Sequence, residues 1–319
     1  IPLLGALGSA QSPFMGPLNG IPDYKFAGQA GQTASDGVTL PNTLDGDSAF
    51  MFDAKRDGSF HAAITPGTST VIVPGATTPS VPAMGQPNRA LTTSAITVAE
   101  GTNFNKNPAT GLAYTYSVSF SNVTLDPATN TLSATYNVSS TDPAFVPPAA
   151  QTLNPIKIGE KGEFNINGLP PGMSMKVTTL PTKAVDGTIT LSPANGDTIN
   201  ISPQASVFSV IDKAISDIKA APNSNVAAQA SGQALANIDI GLERMSNIRS
   251  YAGELLNRAD RITGDQEKRS VQLESDRSRA EDLDMIKGFS DFQNQQTGYQ
   301  AALQAYASVQ KLSLFNYIG

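Results

Sequence analysis

SRAEDLDMIKGFSDFQNQQTGYQAALQAYASVQKLSLFNYIG is the sequence from Ser278 to Gly319, and it decides how the rest of the chain is interpreted. Its first part is charged, whereas the 28 residues from Phe292 to Gly319 carry Lys311 as their only charge. Large apolar residues recur at three- and four-residue steps, the spacing of one helix face. The other faces carry Gln, Ala and Ser. A terminal helix with so little charge is suited to contact on several sides.

We therefore predict that this helix forms an assembly interface. The predicted interface residues have large apolar side chains: Phe289, Phe292, Tyr299, Leu303, Tyr306, Val309, Leu312, Leu314 and Phe315.

The longest periodic segment follows the loop at Pro222 and predicts a single helix of roughly 50 residues with a near-heptad apolar seam. The predicted seam of a helical bundle is Leu235, Ile238, Leu242, Met245, Ala252, Leu256, Ala259 and Ile262. A long helix with one apolar stripe needs partner helices. The chain offers only the terminal helix and a shorter one predicted to begin at Ser202-Pro203. We therefore expect a further helical segment to pack against this seam, either upstream of Ile1 or on a neighbouring subunit.

The middle of the chain predicts antiparallel β-structure. Residues 113–120 and 131–138 alternate apolar and polar residues on either side of a turn, which predicts two paired strands with one face in a core. A second hairpin is predicted around Asp57-Gly58, with residues 50–54 and 60–64 as its strands. Shorter strands are expected between 70 and 99 and between 156 and 201.

Composition excludes several classes of function. The chain has 319 residues, a net charge of −6 and a pI near 4.8, which argue against a nucleic-acid partner. It has no Cys and a single His, so thiolate metal sites and cysteine nucleophiles are excluded. The many Gln residues of the C-terminal stretch argue against membrane insertion.

No residue pattern predicts catalysis or a cofactor. His61 is out of phase with the apolar positions of its predicted strand, so we expect it to face solvent without a catalytic role. Glu281, Asp282 and Asp284 lie among basic residues and predict a solvated, salt-bridged face. Phosphate-binding glycine loops and the GxSxG motif are missing from the sequence. We therefore expect neither an enzyme nor a cofactor or metal site.

The C-terminal sequence resembles that of the bacterial flagellin-like axial proteins, in which a charged S-R-x-E-D-x-D region leads into a Gln- and Ala-rich helix. Within this superfamily, the ending from Lys311 to Tyr317 is closer to the hook-filament junction proteins than to flagellin itself. Two shorter segments agree: Tyr24-Lys-Phe-Ala-Gly28 is similar to the family's Y-L-F-S/A-G segment, and residues 193–198 to its G-D-S/T-F strand. The resemblance covers about the last 90 residues and these two segments.

This resemblance implies an α+β fold in which an outer antiparallel β domain is inserted into a long helical bundle. We expect the family's N-terminal helical arm, which would precede the Tyr24 segment, to be absent. We predict an extended connector at 1–48, the outer β domain at 49–201, the bundle at 202–278 and the axial assembly helix at 279–319. The resemblance also implies a structural adaptor of the flagellum that is exported by the flagellar type III route. Hook-associated protein 1 and flagellin are the implied partners, with a ring of identical subunits and room for an export chaperone.

Two other functions stay open at this stage. A flagellin filament subunit would share the C-terminal features. A cell-surface adhesin or glycan-binding β module with a helical stalk would explain the β region, although it gives no reason for the uncharged terminal helix.

Overall fold

The chain divides into two compact units, Ile1–Gly253 and Glu254–Gly319, in a computed structural model. The structure describes residues 12–28, 44–67, 71–72, 90–99, 104–281 and 284–318, with the backbone alone for 71–72 and 312–318. All strands that follow lie in the first unit. The helix that begins at Ser224 continues into the second unit, and the last helix lies wholly within it.

Many short strands precede two long helices among the described residues. The strands are β1 (Phe14–Met15), β2 (Lys25–Phe26), β3 (Phe60–Thr65), β4 (Val71–Ile72), β5 (Thr92–Thr93), β6 (Thr97–Val98), β7 (Tyr116–Asp126), β8 (Thr131–Ser140), β9 (Gln151–Thr152), β10 (Ile156–Lys157), β11 (Gly162–Asn165), β12 (Met173–Ser174), β13 (Lys176–Thr179), β14 (Thr182–Lys183), β15 (Ile189–Thr190) and β16 (Thr198–Pro203). The helices are α1 (Gly46–Phe50), α2 (Val207–Ala220), α3 (Ser224–Glu281) and α4 (Met285–Ile318).

A six-stranded antiparallel sheet forms the centre of the first unit, in the order β10-β8-β7-β16-β3, with β9 also paired to β8. The β7–β8 hairpin confirms the antiparallel pair predicted from alternation, with Val118 opposite Val138 and Phe120 opposite Tyr136. These four side chains are all at least 98% buried. The alternating pattern held because one face of this hairpin packs into the core, so each second residue had to be apolar.

The predicted hairpin around Asp57-Gly58 is wrong. The predicted first strand, residues 50–54, does not form beyond an isolated bridge at Met51. Phe50 instead ends α1, whose first turn is capped by the Asp45 side chain, which accepts a hydrogen bond from the Asp47 N–H at 3.0 Å. The segment 60–65 is a strand as predicted, but its partner is β16, with Ala62 opposite Ile201. Local alternation could not show that the pairing is long-range.

The start of α2 also differs from its prediction. Ser202 and Pro203 belong to β16, and the helix is capped by Ser206, whose hydroxyl accepts from the Ser209 N–H at 3.1 Å. The chain thus stays paired with β3 for a few residues more than the Ser-Pro signal suggested. The long helix predicted after Pro222 is confirmed as α3, which has 58 residues.

The α+β character of the fold agrees with its prediction, since antiparallel sheets precede two long C-terminal helices. The division of the chain into four segments at 48, 201 and 278 stays a prediction.

Candidate assembly surfaces

Helix α4 exposes the apolar face that the sequence predicted as an assembly interface. The described members of that set, from Phe289 to Val309, are between 51% and 67% exposed. The side chains of Leu312, Leu314 and Phe315 lie outside the described residues. The neighbouring faces of α4 are exposed as well. Between Phe292 and Val309 these faces carry only uncharged residues: Gln, Asn, Ala, Ser, Thr and Gly. The helix therefore offers an uncharged surface with a row of rings and aliphatic groups along one side.

The predicted seam of α3 is exposed over much of its length. Leu235, Leu242, Met245 and Leu256 are 64%, 56%, 45% and 68% exposed. Ile238, Ala252, Ala259 and Ile262 are partly buried. Their role as a seam stays a prediction.

The face of α3 that packs in the first unit is a different one. Its buried residues are Ala230, Gln233, Asn237 and Gly241. At 100° per residue, Leu235 lies about 200° from Gln233, on the opposite side of the helix. A Cβ atom on Gly241 would lie 2.9 Å from Cγ2 of Val207, so glycine permits a close approach of α2 and α3 there. The exposed seam residues Leu235 and Leu242 therefore lie on the side of α3 opposite to the face that packs.

Helix α2 leaves three isoleucines, Ile211, Ile215 and Ile218, between 43% and 48% exposed. They recur at four- and three-residue steps, so they share one helix face. Together with Leu235, Leu242 and Met245 of α3, they give the first unit an exposed apolar helix surface of its own.

An aromatic cluster holds the β1–β2 hairpin to α1 and α2. The centroid of the Phe14 ring lies 5.2–5.4 Å from those of Phe26, Phe50 and Phe208. The Phe208 ring lies 5.4 Å from Phe50 and 5.5 Å from Tyr24. Such spacings are those of favourable aromatic pairs. The Tyr24–Gly28 segment that carried part of the family resemblance is thus an anchor of the N-terminal hairpin.

Two hydrogen bonds reinforce this anchor. The Tyr24 hydroxyl donates to Oδ2 of Asp212 at 2.6 Å, and the Ser209 hydroxyl donates to Oδ1 of Asp23 at 2.7 Å. The bond to Asp212 is the main reason why the pKa of Tyr24 is raised to about 12. Gly28 lies against the Phe26 ring, where a Cβ atom would come within 2.4 Å of Cζ.

His61 is buried, so the prediction that it faces solvent is wrong. Its side chain is 8% exposed, and Nε2 lies 3.1 Å from Oδ2 of Asp217 on α2. Burial lowers the pKa of His61; the Asp217 carboxylate acts in the opposite direction and Lys213 in the same direction. The side chain lies on the sheet face opposite to the core residues Phe60 and Ala62, as its phase predicted, but α2 covers that face.

A cavity of about 410 Å³ opens beside His61, between β3, the end of α2 and the start of α3. Most of its walls are small apolar residues such as Ala62, Ala220 and Ala230. No group of three or more His, Cys, Asp or Glu side chains among the described residues could hold a metal ion. Nor is any helix within the described ranges long and apolar enough to cross a membrane.

Sequence reasoning missed three amides on α3, namely Gln229, Gln233 and Asn237. They make hydrogen bonds to β3 and β5 although they stand in an Ala-rich stretch that reads as solvent-exposed. The signal that could have revealed them is their spacing, since amides at steps of four on an otherwise small-residue helix share one face.

Comparison with known protein families gives a match for the helical part of the chain. Residues 235–318 match the family described as the bacterial flagellin C-terminal helical region. No curated protein matches the chain. The helical part of the chain is therefore similar to the C-terminal helical region of bacterial flagellins.

Solved structures give the fold more specifically. The flagellar hook associated protein-3 from Legionella pneumophila is 20% identical over 88% of this chain and 74% of that chain, with a TM-score of 0.52. The flagellar junction protein FlgL from Legionella pneumophila is 20% identical, with 81% and 70% covered and a TM-score of 0.48. Xanthomonas campestris FlgL is 18% identical, with 87% and 73% covered and a TM-score of 0.46. The fold is that of the Legionella hook associated protein-3.

Proposed function

We propose that this protein is a structural subunit of the bacterial flagellum that joins the hook region to the filament through axial helix packing. The observation that carries the proposal is the exposed apolar face of α4 from Phe289 to Val309 on a helix with almost no charge. Full burial of one such side chain contributes roughly 1.5–3 kcal/mol. Six of them therefore offer on the order of 10 kcal/mol towards the costs of ordering and association.

The subunit acts without catalysis, cofactor or metal. Its partners are hook-associated protein 1 on one side and flagellin on the other, with identical subunits arranged as a ring. An export chaperone covers the apolar helix inside the cell. The subunit then leaves by the flagellar type III route and works outside the cell. The similarity of fold to the Legionella hook associated protein-3 supports these assignments.

The test is a set of variants produced in the parent cell. Leu303→Asp places a charge on the exposed apolar face of α4, whereas Leu303→Met keeps an apolar side chain of similar size. Asn137→Asp adds the same charge at an exposed position of β8. We expect Leu303→Asp to leave hooks without filaments and to release flagellin into the medium, while the other two variants swim normally.

Removal of residues 280–319 should produce the same loss of filaments with intact hooks. Motile cells with normal filaments after this deletion would refute the junction role. Normal secretion of the truncated chain, checked by immunoblot of the medium, separates failed assembly from failed export.

A flagellin filament subunit is the second candidate, because residues 235–318 match the C-terminal helical region of flagellin. The two candidates differ in self-assembly. A purified filament subunit polymerises alone into long filaments, whereas a junction subunit stops at short oligomers, and electron microscopy distinguishes these outcomes.

A further inference from the structure

The cavity beside His61 has the size of a small-molecule site. Its volume of about 410 Å³ lies within the range of roughly 300–1,000 Å³ that is usual for ligand pockets. It lies wholly in the first unit, between β3, the end of α2 and the start of α3. Its walls therefore form only when the sheet and the two helices pack together.

Apolar side chains form most of the wall of this cavity. Ala62 and Ile64 come from β3, Ala220 from α2, and Val226 and Ala230 from α3. Removal of apolar surface from water is favourable. The wall therefore suits the apolar body of a ligand.

The amide side chains in the wall are engaged by the protein itself. Oε1 of Gln229 accepts from the Thr93 N–H at 2.9 Å, and Oε1 of Gln233 accepts from the Ala62 N–H at 3.2 Å. Oδ1 of Asn223 accepts from a backbone N–H of α3 at 3.0 Å. These amides therefore shape the cavity and leave another group to bind the polar end of a ligand.

Asp217 supplies that group. Its Oδ2 lies 3.1 Å from Nε2 of His61, whereas its Oδ1 has no hydrogen-bond or ion-pair partner among the described residues. The side chain of Asp217 is 32% exposed, and it carries the only charge among the wall residues that the structure describes. Burial lowers the pKa of His61, so its imidazole is neutral at pH 7.5 and leaves the carboxylate charge uncancelled. An anionic oxygen is thus available beside an apolar cavity.

The end of α2 adds to this negative charge. Ala220 and Ala221 line the cavity at the C-terminal end of α2, where a helix carries a partial negative charge that favours cations. The start of α3 has the opposite polarity, but Asn223 caps it with its side-chain and main-chain oxygens at 3.0 and 3.1 Å. The polar end of a ligand that fits here is therefore cationic.

We propose that this cavity binds a small primary amine, with the ammonium group on Oδ1 of Asp217 and the apolar body against β3 and α3. An ammonium group donates up to three hydrogen bonds, and a bond between two charged groups is stronger than one between neutral groups. The site goes beyond the proposed axial packing, because it lies in the first unit and does not involve α4. Its test uses the purified chain, so its failure would leave the assembly proposal unaffected.

The test compares three probes of similar shape on the isotope-labelled full chain at pH 7.5: phenethylamine, 2-phenylethanol and 3-phenylpropionate. NMR follows the imidazole of His61, the single histidine, and the amides of Ala62 and Ala230. Phenethylamine should produce saturable shifts at these three residues. The alcohol should bind at least about fivefold more weakly, because its bond to the carboxylate lacks the second charge, and the carboxylate probe should bind more weakly still.

Two pairs of variants locate the site. Asp217→Asn should weaken phenethylamine at least about fivefold and leave the alcohol unchanged, whereas Asp239→Asn, at an exposed position of α3, should change neither. Ala220→Leu enlarges a side chain of the wall and should weaken both probes. Ala228→Leu, at an exposed position of α3, is its control and should weaken neither.

Three results would each overturn the proposal: no saturable shift at His61 with phenethylamine, equal affinity for the amine and the alcohol, or unchanged amine affinity in Asp217→Asn. If Asp217→Asn fails to fold, the comparison of the three probes on wild type and the Ala220→Leu pair decide the question. Binding of both probes that Ala220→Leu leaves unchanged would place them outside the cavity and contradict the proposal.

Discussion

His61 is the single histidine of the chain, and its environment makes its charge state depend on folding. The groups that face it from α2 are Asp217 and Lys213, while Gln233 on α3 is neutral. Burial is the largest influence and lowers the pKa of His61 below its ordinary value near 6.5. The folded protein therefore binds a proton here less readily than the unfolded chain does.

This difference predicts a pH dependence of stability. As the pH falls through about 6.5, the unfolded chain takes up a proton at His61 before the folded protein does, so the free energy of unfolding decreases. The decrease ends below the folded pKa, and its slope cannot exceed about 1.4 kcal/mol per pH unit for one proton. Urea denaturation from pH 7.5 to pH 5.5 should show this loss, and His61→Gln should flatten it.

The control uses the same residue. Its imidazole gives one set of NMR signals, because no other His is present, and these should titrate below pH 6.5 in the folded protein. Titration at or above 6.5, or the same slope in His61→Gln as in wild type, would contradict the assignment.

At the scale of elements, an ion pair fastens α3 to the turn that precedes β3. Nη1 of Arg244 lies 3.2 Å from Oδ1 of Asp57, whose side chain is 2% exposed. The same carboxylate accepts from the Asp53 N–H at 2.7 Å and pairs with the partly exposed Arg56 at 2.9 Å. Arg244 also donates to the Ser48 carbonyl within α1. The turn is therefore shaped by a helix far along the chain.

We predict that Arg244→Met lowers the free energy of unfolding by about 2–4 kcal/mol, because it leaves a buried carboxylate with less compensation. The value lies at or below the usual cost of breaking a buried pair, since Arg56 remains. Arg249→Met, at an exposed position of the same helix, should change stability by less than about 0.5 kcal/mol. Urea unfolding followed by circular dichroism measures both, and equal effects of the two substitutions would contradict a specific role of the ion pair.

These elements show which parts of the fold could be predicted from sequence. The β7–β8 hairpin and the long α3 were predicted because their patterns arise from local repetition, with Val118 and Phe120 on one strand face and regular steps along the helix. The Asp57-Gly58 hairpin failed because the Asp57 carboxylate binds Arg244 and the Asp53 N–H, so that a compact turn forms where its first strand was expected to end. The prediction that His61 faces solvent was also wrong: its phase in the strand was right, but α2 covers the outer face of the sheet.

The candidate surfaces divide in the same way. The apolar face of α4, with residues such as Tyr299 and Leu303, could be predicted from sequence because its helical spacing is a local pattern. The structure shows these residues exposed, and their role in assembly stays a prediction. The buried amides of α3 could not be predicted in this way, because Gln233 and Asn237 have the appearance of surface residues in the sequence. Their burial depends on two sheet edges that come together only in the folded unit.

At the scale of the whole molecule, the two compact units differ in what stabilises them. The first has a continuous apolar core that includes Phe120, Leu132 and Ile199. In the second, every described side chain of α4 is exposed. A helix without tertiary packing is only marginally stable in water. The stability of the isolated protein should therefore come almost entirely from the first unit.

This difference predicts that removal of residues 285–319 leaves the main thermal transition within about 2 °C of the full chain, because 1 kcal/mol shifts the midpoint of a domain this large by about 2–4 °C. Phe120→Ala tests the sensitivity of the measurement, since loss of a buried ring costs about 3–5 kcal/mol and should lower the midpoint clearly. In the intact monomer, the amides of α4 should exchange with solvent orders of magnitude faster than those of β7 and β8. Calorimetry and hydrogen-exchange mass spectrometry provide the two measurements. Strong protection of α4 in dilute monomer would mean that its apolar face is already covered, and it would remove the main support for assembly through that face.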